Sequence, residues 1–392
     1  MAGRVHLIGM FLVLVGCGVE QISPAPVDVS PGLPSDFECS MTESEACGDP
    51  IENMTVEWAW YPVSDSKCLD GSSTGFGVRI GEEPEKVVLY LEGGGACYNS
   101  WSCENIFASK FGAEDFGEGK QVGIFNLDDD DNPFKAWTHV YIPYCSGDMH
   151  SGSVPFGEGY AGQAHWGYQN ISYYLKRLVP TFKTAQRVVL MGSSAGGFGA
   201  TYNWLRVQKA FNPVPVDVID DSGPFFTSSF LDNCFHKTVS QLWNQSVVFP
   251  SDCTDCLDSA DSFIAHLRYT RRQLPERRYA LLTEAEDYVI RAYFSYGTEE
   301  CSQWDSANRP DYSADRFHSA LEDYRHATHD LENTYIYEAE GNGHVMLFSD
   351  FSDGLQTVQN GIALAAWLND FIGGADIEDV IVPKAEGSGL PY

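Results

Sequence analysis

The chain has few basic side chains for its length. Its 392 residues include 24 lysines and arginines against 55 aspartates and glutamates, which gives a formal net charge of −31. A field of that sign repels nucleic-acid phosphates and anionic lipid surfaces, so neither is expected as a partner. A densely charged polyanion is disfavoured as a substrate for the same reason.

Long apolar runs are also absent, apart from one at the start of the chain. Arg4 and His6 precede the apolar run 7–15, which is too short to span a bilayer and predicts a signal peptide over residues 1–16. Because the run ends in Leu-Val-Gly-Cys, as in a bacterial lipoprotein box, we expect lipidation at Cys17. The protein would then be anchored at the outer membrane or cell surface, and simple secretion is the alternative.

Cysteine is not scarce, and its count favours disulfides. Ten cysteines follow the predicted lipidation site: Cys39, Cys47, Cys68, Cys97, Cys103, Cys145, Cys234, Cys253, Cys256 and Cys301. An even number in an exported chain is typical of a disulfide framework. Zinc is the competing interpretation, but the lone C-x-x-C pair at 253–256 has no second pair at ligand spacing. We therefore expect five disulfides and no metal.

Composition divides the remaining chain into three parts. Residues 18–34 are rich in proline and serine and have no hydrophobic period, which is typical of a tether. We expect a tether and N-terminal extension over residues 17–54 and a single catalytic domain over residues 55–375. A C-terminal tail would occupy residues 376–392.

Short apolar runs alternate with helical segments inside the predicted domain. Such runs, rich in β-branched and aromatic residues, predict buried strands over 86–91, 138–142, 187–191, 216–219, 279–282 and 334–337. The segments between them indicate helices, for example over 168–178, 194–211 and 288–296. The alternation predicts an α/β fold with a mostly parallel sheet and helices on both faces.

The third predicted strand runs directly into the turn Gly192-Ser193-Ser194-Ala195-Gly196, which is followed by a helix. A strand–turn–helix context makes G-x-S-x-G informative as the nucleophile turn of a hydrolase. The central Ser194 is the predicted nucleophile, while Ser193 would point elsewhere. A glycine-rich turn without chemistry is one alternative. A phosphate loop is another, but the turn lacks the lysine of a Walker motif.

A glycine triplet, Gly93 to Gly95, follows the first predicted strand. Consecutive glycines let backbone N–H groups approach a developing oxyanion closely. We expect the N–H groups of Gly94, Gly95 and Ala195 to form an oxyanion hole for the tetrahedral intermediate.

Hydrolases of this type place the acid and then the histidine after the serine. His344 is the candidate base, because it lies in a Gly-Asn-Gly-His turn after the last predicted strand. An ordinary exposed loop histidine is the alternative. We expect the other histidines after the predicted nucleophile to be surface residues, and these are His236, His266, His318, His326 and His329.

Asp287 is the candidate acid, because a carboxylate after the penultimate strand usually orients the catalytic histidine. It has competitors: Asp221 follows the strand 216–219 and is the second choice. Asp220, Glu284 and Glu286 are the neighbouring carboxylates.

Together these motifs resemble the pectin acetylesterase and Notum carboxylesterase family, and the lipoprotein box would make the chain a bacterial member. The matching stretches are YLEGGGAC (90–97), NPF (132–134), HVYIPYCSGDMHSG (139–152), GYQNI (167–171), GSSAGGFGATYNW (192–204), DDSGPFF (220–226) and GNGHVML (341–347). The resemblance implies an α/β-hydrolase fold, no metal or organic cofactor, and ester hydrolysis by Ser194, Asp287 and His344. It also suggests the disulfides Cys68–Cys145 and Cys97–Cys103, and it leaves the other six cysteines unassigned.

The resemblance leaves the acyl group and the alcohol open. We expect a monomeric exported serine carboxylesterase that removes O-acetyl groups from a polysaccharide or related glycan, or that acts on a small ester. The net charge of −31 favours a neutral or heavily acetylated glycan. A long-chain protein O-acyl deacylase of Notum type and a non-catalytic glycan-binding surface lipoprotein are the alternatives.

Overall fold

The computed structural model describes residues 39–352 and 357–383. The predicted signal peptide, Cys17, residues 18–38 and residues 384–392 lie outside the described residues. The strands are β1 Ala59–Val63, β2 Thr74–Arg79, β3 Glu83–Leu91, β4 Trp137–Ile142, β5 Arg187–Ser193, β6 Val216–Asp221, β7 Tyr279–Glu284, β8 Thr334–Ala339, β9 Val358–Gln359 and β10 Ile362–Ala363. The α-helices are α1 Ser100–Glu104, α2 Ala113–Phe116, α3 Gly167–Thr181, α4 Ala195–Phe211, α5 Asn233–Leu242, α6 Asp255–Asp258, α7 Ser262–Gln273, α8 Tyr288–Phe294, α9 Ala314–Thr328 and α10 Leu364–Gly373. None of these helices is long and apolar enough to cross a membrane.

Strands β1 to β8 form one mixed sheet in the order β1-β2-β4-β3-β5-β6-β7-β8. The six strands β4, β3, β5, β6, β7 and β8 are all parallel. At one edge, β2 pairs antiparallel with β4, and β1 pairs antiparallel with β2. The prediction of a mostly parallel sheet is confirmed, and all six predicted strands are present. The antiparallel edge was not predicted because β2 contains two glycines, which weaken its strand pattern. A side chain at Gly75 would overlap the carbonyl oxygen of Tyr61 on β1.

Strand β3 shows why the sheet is covered on both faces. Val87, Leu89 and Leu91 belong to the core that contains the buried faces of α3 and α4. Val88 and Tyr90 point to a second core, which α10 covers. A strand buried on both faces needs apolar side chains at every position, so it reads as a continuous apolar run. The prediction of helices on both faces is confirmed.

The packed region begins before Thr55, where the sequence predicts the domain to start. Cys39 is buried and forms a disulfide with Cys47. Ile51 is also buried, and its N–H donates to Thr181 Oγ1 on α3 at 2.8 Å. The contact between Ile51 and Thr181 joins segments 130 residues apart, so no local sequence pattern reveals it.

The predicted C-terminal tail also packs in part against the sheet. Val380 is buried and forms an isolated parallel bridge with Tyr337 on β8. The carboxylate of Asp379 accepts a hydrogen bond from the N–H of Ile336 at 2.9 Å. The packed region therefore extends beyond residue 375.

Two of the histidines expected at the surface are buried, so that prediction was wrong for them. His236 on α5 and His266 on α7 lie among aromatic rings, including that of Phe249. Burial lowers the pKa of His236 to about 3 and that of His266 to about 4, which keeps both rings neutral at pH 7. Both helices have largely polar sequences, so the sequence did not indicate that these two side chains point into the core.

Five disulfides join the ten cysteines that follow Cys17: Cys39–Cys47, Cys68–Cys145, Cys97–Cys103, Cys234–Cys301 and Cys253–Cys256. They include both pairs that the family resemblance suggests. The C-x-x-C pair is a disulfide, which removes its two sulfurs as ligands for a metal ion. Two of the links, Cys68–Cys145 and Cys234–Cys301, connect segments far apart in sequence.

The two extreme loop lengths give a test of what these disulfides contribute. Cys68–Cys145 spans 77 residues, so replacing both cysteines by alanine should lower the free energy of unfolding by about 4 kcal/mol. Cys253–Cys256 spans 3 residues, and its removal should cost only about 1–2 kcal/mol. Guanidinium unfolding of both variants measures the difference, and equal losses would contradict the ranking.

Candidate active site

The predicted site residues gather at the carboxyl edge of the parallel sheet. The glycine triplet follows β3, Ser194 follows β5, Asp287 follows β7 and His344 follows β8. Because these strands run in the same direction within one sheet, their carboxyl ends share one edge. This edge is where open α/β sheets bind their ligands.

Ser194 occupies a strained turn between β5 and α4. Its φ of 58° and ψ of −124° are rare for a residue with a side chain, and such strain is common at functional sites. The turn is packed so closely that a side chain at Gly196 would overlap the carbonyl oxygen of Leu91 on β3. The Ser194 N–H donates to the carbonyl of Asp221 at 2.6 Å, and the residue remains 9% exposed.

His344 and Asp287 lie in direct contact. His344 Nδ1 is 2.7 Å from Asp287 Oδ2, and the carboxylate is fully buried. The other carboxylate oxygen, Oδ1, accepts the N–H groups of Val289 and Ile290 at 2.9 and 3.0 Å and so caps α8. The helix end fixes the direction of the carboxylate, because one oxygen caps the helix while the other holds the imidazole.

With Nδ1 bonded to a carboxylate, the Nε2 atom of His344 is left to act as a proton acceptor. In the described part of the chain, the Ser194 hydroxyl makes no hydrogen bond, to His344 or to any other group. Hydrogen bonds of this kind are often long before substrate binds and tighten in the reacting complex.

Asp221, the second choice for the acid, has another set of partners. Its carboxylate accepts the Ser193 hydroxyl at 2.7 Å and the N–H groups of Met346 and Leu347 at 2.9 and 3.0 Å. Asp221 therefore ties the serine turn to the loop that carries His344. Burial raises the pKa of Asp221, and these hydrogen bonds oppose that shift.

The glycine triplet forms a loop against the serine turn. Gly94 has φ +152° and Gly95 has φ +86°, values that favour glycine. A side chain at Gly93 would overlap the Ser193 carbonyl, and one at Gly95 would overlap the Tyr293 hydroxyl. Only glycine therefore fits at these points of close approach.

The backbone N–H groups of Gly94, Gly95 and Ala195 are among those near the turn that have no acceptor within the described residues. The N–H of Ala195 is unpaired because the first residue of a helix has no preceding turn to bond. These are the donors that the sequence assigned to the oxyanion hole.

Two exposed aromatic side chains flank this edge of the sheet. Phe107 is 91% exposed, and its N–H donates to the Gly94 carbonyl at 2.9 Å. Tyr288 is 57% exposed and directly follows Asp287. The sequence interpretation missed both, because a single exposed aromatic residue leaves no pattern in a sequence.

The sequence interpretation also missed His150. Its Nε2 lies 2.8 Å from the carbonyl oxygen of Glu92, the residue before the glycine triplet. The only sequence signal is that His150 falls in the stretch 139–152, which resembles the esterase family. Among the described residues, no group of three or more acidic, histidine or cysteine side chains is arranged to hold a metal ion.

The parallel sheet, the strained serine turn and the His–carboxylate pair at its carboxyl edge define an α/β-hydrolase-like protein. The chain belongs to the pectinacetylesterase family, because the family model described as pectinacetylesterase matches residues 55–308. The family description and the names of the relatives are those of carboxylic ester hydrolases.

Curated relatives align with part of this chain. Palmitoleoyl-protein carboxylesterase notum1' from Xenopus laevis is 27% identical over 305 residues, which cover 71% of this chain and 59% of that protein. Palmitoleoyl-protein carboxylesterase NOTUM from Mus musculus is 28% identical over 245 residues, covering 60% and 46% respectively. The chain therefore spans about half the length of the curated relatives it matches.

Solved structures share the fold. One crystal form of the Wnt deacylase Notum from Drosophila aligns with a TM-score of 0.60 at 21% sequence identity, covering 81% of this chain and 93% of that one. A second crystal form aligns with a TM-score of 0.57 at 20% identity, covering 83% and 95%. At this level of identity the likeness identifies the architecture alone.

Proposed function

We propose that the chain is a serine carboxylesterase in which Ser194 is the nucleophile, His344 the general base and Asp287 the acid that orients it. The observation that carries this proposal is the 2.7 Å contact between His344 Nδ1 and the buried Asp287 carboxylate. That contact lies at the same sheet edge as a serine with φ 58°. A serine, a histidine and an orienting carboxylate are the groups that acyl transfer requires.

The reaction proceeds in two steps. Ser194 Oγ attacks the ester carbonyl while His344 Nε2 takes its proton, and the oxyanion accepts hydrogen bonds from Gly94, Gly95 and Ala195. The alcohol leaves with the proton from His344, which produces an acyl-enzyme. A water molecule, deprotonated by His344, then releases the carboxylic acid and restores the serine.

The tautomer of His344 follows from the Asp287 contact. A carboxylate that accepts the Nδ1 proton leaves Nε2 free to take a proton from the serine and stabilises the imidazolium that forms. Because Asp287 Oδ1 is already occupied by the α8 N-terminus, the carboxylate cannot rotate without losing two hydrogen bonds.

The serine assignment predicts unequal effects within one turn. Ser194→Ala should lower kcat for p-nitrophenyl acetate by about 10⁴-fold or more, because the nucleophile is removed. Ser193→Ala is the matched control: its hydroxyl donates to Asp221, so it should keep kcat within about tenfold while losing stability. Equal losses would contradict the assignment, as would a wild-type protein that is inactive toward both short and long acyl esters.

The acid is tested in the same assay with two isosteric changes. Asp287→Asn should lower kcat by about 10⁴-fold, because an amide cannot hold the required tautomer. Asp221→Asn keeps two acceptor lone pairs for the loop N–H groups, so its loss should be smaller. If Asp221→Asn abolishes the rate while Asp287→Asn does not, the acid is Asp221.

A short acyl group fits the surroundings of the glycine loop. The Tyr293 hydroxyl abuts Gly95 and donates to the Asn105 carbonyl at 3.0 Å. The Tyr293 ring packs on Trp101 with centroids 5.3 Å apart, which makes an aromatic wall beside the oxyanion loop. Two large aromatic side chains beside the oxyanion loop favour an acetyl group over a long chain. Removal of a long acyl chain, as the names of the carboxylesterase relatives state for those proteins, is the second candidate.

An acyl-chain series separates these two candidates. With p-nitrophenyl esters from acetyl to palmitoyl, kcat/KM should fall at least about tenfold between the shortest and the longest chain. The reason is that the aromatic wall beside Gly95 obstructs the additional carbon atoms of a longer acyl chain. All rates should be taken below the micelle-forming concentration of each ester. A rise in kcat/KM with chain length would favour the long-chain deacylase.

The proposed substrate is a glycan that carries the ester. Phe107 and Tyr288 present aromatic rings to solvent on the two flanks of the serine turn, since the loops after β3 and β7 lie on opposite sides of β5. Exposed aromatic faces offer flat contact area to the apolar faces of sugar rings. The net charge of −31 favours a neutral acetylated glycan over an unesterified polyuronate.

The glycan proposal predicts a substrate-dependent effect of one side chain. Phe107→Ala should raise KM for a neutral acetylated polysaccharide about three- to tenfold, because a stacking contact of about 1 kcal/mol is lost. The rate with p-nitrophenyl acetate should not change. Phe156→Ala, which removes another exposed phenylalanine on a different loop, is the matched control. Equal KM values for all three proteins would contradict the glycan contact.

We also propose export, either as a lipoprotein through Cys17 or by secretion. The five disulfides support it, because such links persist in oxidising compartments and are rare in reducing ones. The predicted signal peptide over residues 1–16 is the independent support from the sequence.

A further inference from the structure

His150 lies on the loop after β4 and contacts the residue that precedes the glycine triplet. The residue is 2% exposed and has φ 54°, a value that side-chain-bearing residues rarely adopt. Its Nε2 is 2.8 Å from the Glu92 carbonyl oxygen. A strained, buried histidine therefore supports the start of the loop that carries two of the candidate oxyanion donors.

The side chain of Glu92 is held by the same loop. Tyr144 donates its N–H to Glu92 Oε2 at 3.1 Å, and its hydroxyl accepts the Met149 N–H at 2.8 Å. The Tyr144 ring also packs against the His150 ring, with centroids 4.8 Å apart. Both the backbone and the side chain of Glu92 are thus bonded to one rigid segment.

His150 also contacts the helix that begins at the serine turn. Asn203 on α4 donates its amide N–H to the His150 carbonyl at 3.0 Å. Gly199, one turn earlier, approaches the imidazole so closely that a side chain there would come within 2.9 Å of its atoms. The third candidate donor, Ala195, is the first residue of this helix. His150 therefore packs between the two backbone segments that supply the donors.

The protonation state of His150 suits a fixed hydrogen bond. Burial lowers its pKa to about 4, so the ring is neutral at pH 7. A neutral ring that donates from Nε2 to a carbonyl has its single proton fixed on that atom. The carbonyl of Glu92 therefore accepts its hydrogen bond from a single tautomer of the neutral ring.

We propose that His150 is a positioning residue for the oxyanion hole. Its hydrogen bond to Glu92 sets the peptide plane that enters the glycine triplet, and its packing on α4 sets the distance to Ala195. This inference rests on the proposed function. Displacement of a catalytic group by about 1 Å can cost about 100-fold in rate, so a lost positioning bond should act on kcat.

His150→Phe and His150→Gln test the inference, with His236→Phe as the matched control. Phenylalanine keeps the ring but not the N–H, whereas glutamine keeps an N–H donor. His236 is equally buried and makes one hydrogen bond, to Ser262 Oγ at 2.7 Å, in a part of the core that does not contact the glycine loop. Thermal unfolding of all three variants shows that each is folded and how much stability it has lost.

With p-nitrophenyl acetate, His150→Phe should lower kcat about 10- to 100-fold and leave KM within about twofold. His150→Gln should recover kcat to within about threefold of wild type, and His236→Phe should leave it unchanged. The inhibition constant of a boronic acid, which mimics the tetrahedral intermediate, should rise in His150→Phe by about the same factor as kcat falls.

The inference is overturned if His150→Phe lowers kcat no more than His236→Phe does, or if His150→Gln is as slow as His150→Phe. If His150→Phe does not fold, Tyr144→Phe takes its place. That change removes only the hydrogen bond to Met149, which holds the backbone directly before His150. It should therefore lower kcat several-fold, and an unchanged kcat overturns the inference. An inactive wild-type protein would instead overturn the proposed function, so the two failures are distinguishable.

Discussion

The Asp221 carboxylate accepts hydrogen bonds from two loops that are about 150 residues apart in the chain, and the geometry of the candidate site depends on it. On one side it accepts a hydrogen bond from the Ser193 hydroxyl, next to Ser194. On the other it binds two N–H groups just after His344. A buried charge without partners is costly, so the three donors and the carboxylate stabilise one relative position of serine and histidine. The parallel sheet brings the serine and the histidine to the same edge, and Asp221 fixes their positions relative to each other.

Much of this architecture could be predicted from the sequence. A strand buried on both faces must be apolar throughout, so KVVLYL and RVVLM predict two buried strands, and the structure shows that they are neighbours. The turn after RVVLM contains small residues because a side chain at Gly196 would overlap Leu91, and that requirement is visible as G-x-S-x-G. The order serine, aspartate, histidine follows the strand order, since the three residues come after β5, β7 and β8 of the parallel sheet.

The features that could not be predicted depend on contacts between segments far apart in the chain, which a local sequence pattern does not reveal. Asp221 is the last residue of β6 and Asp287 follows β7, and the sequence could not show that one binds backbone N–H groups while the other binds His344. Position relative to a helix start distinguishes them, because Asp287 caps α8. His150 shows the same limit: its partner Glu92 is 58 residues away, and their hydrogen bond exists only because β3 and β4 are neighbours.

The central claim is that Ser194, and not the adjacent Ser193, is the activated nucleophile of a carboxylic ester hydrolase. Covalent labelling with a fluorophosphonate, read by intact mass and peptide mapping, tests it without any assumption about the natural substrate. The account predicts one adduct per chain, located on Ser194, absent from Ser194→Ala and formed much more slowly in Asp287→Asn. An adduct on Ser193, or equal labelling of the wild-type and Ser194→Ala proteins, would contradict it.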